Sequence, residues 1–359
     1  MAAIRYTKTM DLAKIRLTNQ HITPNSRLNT VEDVVRSLGA VQAQDYTQAL
    51  WALGLRTKNA TVADVEKALE ERKIIRSWSM RGTLHFILAE DARWMRELFG
   101  PLILAKITPK IWQYHGANEK MVALAQRVFT QALSGGKTLP RTNMITLLKN
   151  AGVPEDKQQS YLILAYLCQT GLLCLGATVG GKQQFALLDE WVPKPRNLAQ
   201  NKALGLLARR FFTSHGPATL ADFANWSGLK MADARTGLEQ IKNALISETH
   251  HEAEYWFSPT GKPGAGTFLL PGYDEFVIGY KDRTPTFRHG VIKIAGSNGI
   301  FSPTTVVDGQ VVGLWKRTVK KKDITIAVQP HPLLNEAKII NEANRLGTFF
   351  GVPVRIEKV

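Results

Sequence analysis

The sequence predicts an α+β fold: three tandem winged helix-turn-helix units followed by a β-rich C-terminal domain. Three observations carry that prediction. A pattern of three helices and a hairpin recurs along the chain. A Gly- and Pro-rich segment (Gly261, Pro263, Gly264, Gly266) follows the last repeat. Beyond it the chain breaks into short apolar runs around the two-residue hairpin signal Asp308-Gly309. With 359 residues, the chain is also longer than one ordinary core needs.

The third repeat is the clearest. Ala203–Thr213 has helical period, His215-Gly216-Pro217 breaks it, and Thr219 with Asp222 forms a capping box that opens a short helix through Trp226. Gly228 ends that helix and Lys230–Ile241 begins another. Ala244–Ser247 and Tyr255–Phe257 then read as strands about the turn His250-His251-Glu252. In the second repeat the helices are Glu119–Leu133, Arg141–Asn150 and Glu155–Thr170. Its strands are Gly171–Ala177 and Gln184–Leu188, about Gly180-Gly181-Lys182. The first repeat is looser. Thr30–Leu38 and Thr61–Glu70 are helical, with Thr61 and Asp64 as cap partners, and Ile74–Ser79 and Thr83–Leu88 flank Met80-Arg81-Gly82. In the last segment Phe276–Tyr280, Gly299–Val307, Gln310–Thr318 and Ile324–Val328 read as strands. A helix at Pro332–Leu346 and a strand at Pro353–Glu357 close the chain. The expected divisions are therefore residues 1–115, 116–195, 196–260 and 268–359.

Charge narrows the partner. Lys and Arg number 46 against 30 Asp and Glu, a net charge of +16. Such a balance favours a polyanion, through phosphate neutralisation and counterion release. The charge is unevenly placed. Residues 101–150 carry Glu119 as their one acid, and Lys316, Arg317, Lys320, Lys321 and Lys322 crowd one short span. Apolar runs fall well short of the roughly 18 residues of a membrane span, so no membrane partner is expected. The first residues lack an apolar signal core. Cys168 and Cys174 are too few for a disulfide framework and lack companions for zinc. Gly136-Lys137-Thr138 has Gln131 where a phosphate-binding loop needs its first glycine, and His251-Glu252 lacks the second histidine of a zinc-protease helix. Neither metal nor cofactor is expected.

Five elements occur in a telling order: Gln42-Ala43-Gln44; Arg81-Gly82-Thr83-Leu84-His85; Leu270-Pro271-Gly272-Tyr273-Asp274-Glu275; Gly279-Tyr280-Lys281-Asp282-Arg283; and Asp308-Gly309 with Gly313-Leu314-Trp315-Lys316-Arg317. Together they resemble the AlkZ/YcaQ group of DNA glycosylases, over nearly the whole chain. The resemblance implies a C-shaped, DNA-embracing bacterial protein that hydrolyses the N-glycosidic bond of alkylated purines. Some members of the group unhook interstrand crosslinks. The family's catalytic motif is Gln–apolar–Gln in one branch and Gln–apolar–Asp in the other. Gln42 and Gln44 match the first branch and are the catalytic residues that the resemblance implies; Asp45 occupies neither motif position.

The chemistry agrees with a neutral site. Breaking a nucleoside bond builds oxocarbenium character at the sugar, where a carboxylate normally helps. A glutamine amide accepts no proton at neutral pH, but its carbonyl can hold a water and aim a dipole at positive charge. That suffices when the leaving base already carries positive charge, as N7- or N3-alkylated purines do. No lysine or proline amine is assigned as a nucleophile, so the expected enzyme is a monofunctional glycosylase that leaves the strand intact. On a straight helix the two amides would lie about 200° apart, so the motif is expected at a helix start or in an extended or turn segment.

DNA contacts are expected from Arg81 at a wing tip, from His85 in the following strand, which either lines the catalytic cleft or packs with Trp78, from Lys137 and Arg141 at a helix start, and from the cluster Lys316, Arg317, Lys320, Lys321 and Lys322. The expected partner is double-stranded DNA with alkylated bases, bound by a monomer that needs no protein partner, in the cytoplasm at the nucleoid. A non-enzymatic winged-helix regulator or damage-binding protein is the alternative. Three units in one chain can surround DNA without dimerising, which separates this chain from a typical palindrome-binding regulator.

Overall fold

The computed structural model describes residues 10–107, 116–154, 156–259, 263–287, 299–319 and 323–358, with positions 294 and 296. The first stretch forms α1 (Leu12–Asn19), α2 (Val31–Leu38), β1 (Val41–Gln42), α3 (Tyr46–Arg56), α4 (Val62–Glu70), β2 (Ile74–Trp78), β3 (Leu84–Leu88) and α5 (Ala92–Ile107). Asp11, Thr30 and Asp45 each cap a helix by accepting a backbone N–H, and Thr61 with Asp64 closes a reciprocal capping box. The second stretch gives α6 (Glu119–Leu133), β4 (Leu139–Pro140), α7 (Arg141–Asn150), α8 (Lys157–Gln169), β5 (Leu173–Val179), β6 (Lys182–Leu187) and the short α9 (Leu188–Trp191). The third gives α10 (Gln200–Ser214), α11 (Leu220–Ser227), α12 (Met231–Glu239) and the hairpin β7 (Ile246–His250) and β8 (Ala253–Phe257).

The hairpins of the first two stretches are one sheet. Its order is β1-β3-β2-β5-β6-β4, and Arg76 on β2 opposite Leu175 on β5 joins the two halves. The hairpin β7–β8 stays separate. The C-terminal stretch contains β9 (Thr267–Leu270), α13 (Glu275–Ile278), β10 (Thr304–Val307), β11 (Gln310–Val319), β12 (Ile324–Val328), α14 (Glu336–Phe350) and β13 (Val354–Lys358). Its sheet runs β13-β12-β11-β10-β9, with β13 parallel to β12 after the crossover through α14. Asp308 and Gly309, at φ 49° and 84°, make the tight β10–β11 turn.

Two expectations are corrected here. Residues 276–280 do not form a strand: Asp274 accepts the Phe276 N–H at 2.9 Å and opens α13 instead. Nor do residues 268–359 form a separate body. Leu269, Phe276, Val306, Trp315, Ile326 and Phe349 share one hydrophobic core with Val35, Leu38, Trp51, Leu53 and Phe86. Trp51 Nε1 donates to the Leu269 carbonyl at 2.7 Å, satisfying the indole inside that core. Arg56 and Asp274, both fully buried, form a bidentate pair at 2.8 Å per bond. The expected linker is also packed. Gly264 donates to the Lys14 carbonyl at 3.1 Å, and a Cβ there would strike Thr23; residues 260–262 lie outside the described residues. A second core packs Phe211, Phe223 and Trp226 against α5 residues such as Trp94 and Phe99.

Candidate active site and nucleic-acid interface

The Gln-Ala-Gln segment lies in extended chain between α2 and α3. Val41 and Gln42 pair with Phe86 and His85, and the Ala43 N–H donates to the Leu84 carbonyl at 2.7 Å. The strand ends at Gln42 and the chain bends at Gln44, so Gln42 is buried and Gln44 exposed, two residues apart. Asp45 then caps α3 through Oδ1, 3.1 Å from the Gln48 N–H. From the other side Arg76 donates to the Ala43 carbonyl through Nε at 2.9 Å and Nη2 at 2.7 Å. Its Nη1 donates to Gln183 Oε1 at 2.6 Å, so β6 is tied to the same segment. Burial draws the Arg76 pKa down to about 10, which leaves it charged at neutral pH.

Both carboxamides have one engaged oxygen. Gln42 Oε1 accepts from Arg81 Nη2 at 2.8 Å, and Gln44 Oε1 accepts from the Leu84 N–H at 3.3 Å. A guanidinium and a backbone amide only donate, so neither carboxamide can be flipped without losing its bond. Each oxygen keeps a second lone pair, and each NH2 group has no protein acceptor among the described residues. Gln42 is 8% exposed and Gln44 is exposed.

A buried acid holds this segment: Glu275, which with Asp274 and Arg283 reads in the sequence as a source of structural ion pairs or caps. Glu275 Oε1 accepts the Gln42 N–H at 2.9 Å, and Oε2 accepts from Trp226 Nε1 at 2.9 Å with His215 Nε2 at 3.4 Å. Burial would raise the Glu275 pKa. The hydrogen bond and charge interaction with His215, and the Gln42 N–H, outweigh burial and hold it near 2. Burial lowers the pKa of His215 in turn, so Glu275 is the charged member and His215 donates as a neutral imidazole. Ser214 Oγ sits 2.8 Å from His215 Nδ1 and completes that arrangement. Glu275 was legible only as part of an acidic motif, and nothing local in the sequence points it at Gln42.

Two residues expected to contact DNA turn inward in this structure. Arg81 does not project from a wing tip: the Met80–Gly82 turn places it at φ 57°, against Gly228, with its guanidinium turned in to Gln42. Burial lowers its pKa and the Glu275 charge opposes that fall. His85 is fully buried, with Nδ1 3.0 Å from the Thr83 carbonyl. Burial, then the nearby Arg81 charge, lowers its pKa to about 3.

Three of the other expected basic residues are exposed. Lys137 and Arg141 are exposed at the start of α7, the Arg141 guanidinium 5.5 Å from the Tyr161 ring. Lys316 is exposed on β11. Arg317, half-buried, lies 4.9 Å from the Phe350 ring; burial lowers its pKa and the Asp45 charge opposes that fall. Lys320, Lys321 and Lys322 lie outside the described residues. A cavity of about 520 Å³ lined by Arg93, Arg96, Gln126 and Tyr166 contains none of the motif residues. Among the described residues no cluster of His, Cys, Asp and Glu could hold a metal, and no helix is long and apolar enough to cross a membrane.

Comparison with known proteins now bears on this geometry. A family model described as DNA glycosylase AlkZ-like matches residues 35–349. An interstrand DNA cross-link repair glycosylase of Streptomyces sahachiroi is 26% identical over a 382-residue alignment, spanning 95% of this chain and 97% of that protein. The solved structure of Streptomyces sahachiroi DNA glycosylase AlkZ matches with a TM-score of 0.76 at 22% identity, covering 97% and 98% of the two chains, which shows a shared mixed α+β fold. With its family model spanning most of the sequence, the chain belongs to the AlkZ-like DNA glycosylase family and is a DNA repair enzyme.

Proposed function

We propose that this glycosylase hydrolyses the N-glycosidic bond of cationic N7- and N3-alkylated purines in duplex DNA, with Gln42 and Gln44 at the reacting centre. The observation that carries the reading is the pair of uncharged carboxamides two residues apart where β1 ends, each with its oxygen held by a donor and its NH2 group without a protein acceptor among the described residues. The carboxylates beside them have other employment: Glu275 is buried behind the backbone and Asp45 caps a helix. A site without a free base suits a leaving group that brings its own positive charge. Water held by the remaining lone pair of the Gln44 carbonyl attacks the sugar, and the strand is left intact.

Three helices and a hairpin, repeated along the chain, support three winged-helix units curved around the duplex as a C. The exposed Lys137, Arg141 and Lys316, with the half-buried Arg317, would hold phosphates, and Lys320, Lys321 and Lys322 extend that series in the sequence. Action on interstrand crosslinks is proposed from the Streptomyces relative, whose name records interstrand DNA cross-link repair. A cytoplasmic monomer at the nucleoid fits the basic surface. The test is DNA carrying one 7-methylguanine, incubated with protein and then heated in alkali. Breaks that need the alkali, and vanish in Gln42→Ala and Gln44→Ala, are expected. Breaks unchanged in both variants would refute the assignment.

A further inference from the structure

A carboxamide has two opposite ends, an oxygen that accepts and an NH2 group that donates. At Gln42 the choice between them is made by Arg81, which gives Oε1 a hydrogen bond at 2.8 Å and can accept none itself. Arg81 is in turn held in place. Its turn sets φ at 57°, and Gly228 makes room for its stem, since a Cβ there would lie 3.0 Å from Arg81 Cγ. Glu275 provides the opposing charge and also accepts the Gln42 N–H at 2.9 Å. Gln42 is thus gripped by a cation at its side chain and an anion at its main chain. Nε2 is not among the buried atoms that lack partners, so the NH2 end is the part of this 8% exposed side chain that reaches solvent.

We infer that Arg81 is a positioning residue that turns Gln42 into a hydrogen-bond donor aimed at the departing purine. The inference rests on the proposed placement of Gln42 at the reacting atoms. In the reaction the C1′–N9 bond breaks and its electron pair leaves with the base, cancelling the positive charge that alkylation placed there. A water oxygen bonds to C1′ and its proton passes to solvent. Electron density therefore rises on the purine, where N–H donors stabilise it. An oxygen already shared with a guanidinium is a poor partner for the cationic sugar. Glu275 keeps the cluster neutral, so Arg81 does not oppose that cation.

Single-turnover release of 7-methylguanine from duplex DNA by the full chain separates the roles. Gln42→Ala should slow release by about 10²–10³-fold, the cost of one preorganised donor. Gln42→Glu should be as slow, since it keeps a partner for Arg81 but has no hydrogen to give. Were Gln42 an acceptor, Gln42→Glu would match or exceed the wild type, because a carboxylate serves an oxocarbenium better; that result overturns the inference. Arg81→Met should lower the rate at least tenfold with DNA Kd unchanged, and Arg81→Lys, with one donor restored, should recover part. A wild-type rate in Arg81→Met equally overturns it. If Arg81→Met does not fold, Gln42→Glu decides alone. Full activity in Gln42→Ala would instead remove the placement of Gln42 itself.

Discussion

Acidification from pH 6.5 to 5 should destabilise the protein by about 2 kcal/mol through His85 alone. The imidazole is fully buried, and burial followed by the Arg81 charge lowers its pKa from 6.5 to about 3. In the unfolded chain the same ring takes up a proton as the pH falls through 6.5; in the fold it stays neutral until about pH 3. The unfolded state therefore binds more protons across that window, and stability falls by about 1.4 kcal/mol per pH unit. The full contribution, present above pH 6.5, amounts to about 5 kcal/mol and is gone near pH 3. His215, also buried with a lowered pKa, acts in the same direction. Glu275 adds its own loss only below its ordinary value of 4.5. Urea unfolding of the wild type and His85→Leu, at pH 6.5 and pH 5, isolates the term. The wild type should lose about 2 kcal/mol more than the variant over this interval. Parallel losses would mean that His85 titrates freely in the folded protein, and the reasoning about its burial would be wrong.

Arg56→Met should destabilise the protein by about 3–5 kcal/mol, because it strands the Asp274 carboxylate in a dry core; Arg56→Met with Asp274→Leu should recover part of that loss, as read by denaturant midpoint. Asp45→Asn keeps a good helix cap and removes the carboxylate nearest the motif. Single-turnover excision should stay within a few-fold of wild type, and a thousandfold loss would make Asp45 the base instead. Lys137→Ala and Arg141→Ala should each flatten the dependence of log affinity on log salt by about one unit, without changing the excision rate at saturating protein; an unchanged salt slope would take α7 off the DNA.

Local physics made much of the framework legible. The capping pairs Thr61/Asp64 and Thr219/Asp222 announce helix starts that need no distant partner, and the amphipathic period of α6 shows one buried face. Asp308-Gly309 declares its turn because both residues take positive φ. α3 gave no such signal: from Ala49 to Arg56 every side chain is buried, so the apolar period disappears. The same ambiguity turned 276–278 into a strand on paper, since a wholly buried run of three apolar residues has no period to read. The glutamine motif could be located, and spacing kept it out of a helix interior while leaving a helix start, an extended segment or a turn open. Its support could not be read. Glu275 lies 233 residues away and Arg81 39, and only the closing of one core over both ends of the chain brings them to Gln42. Arg81 itself was misplaced because a turn between two strands usually points outward, whereas this one packs under α11.

The central claim is that a site without a free carboxylate works because the lesion supplies the charge. Release rates for 7-methylguanine and for uracil, each placed singly in the same duplex and measured under single turnover, test it most directly. The account predicts rapid, Gln42-dependent release of the cationic base and no measurable release of the neutral one. Comparable rates for the two would contradict it.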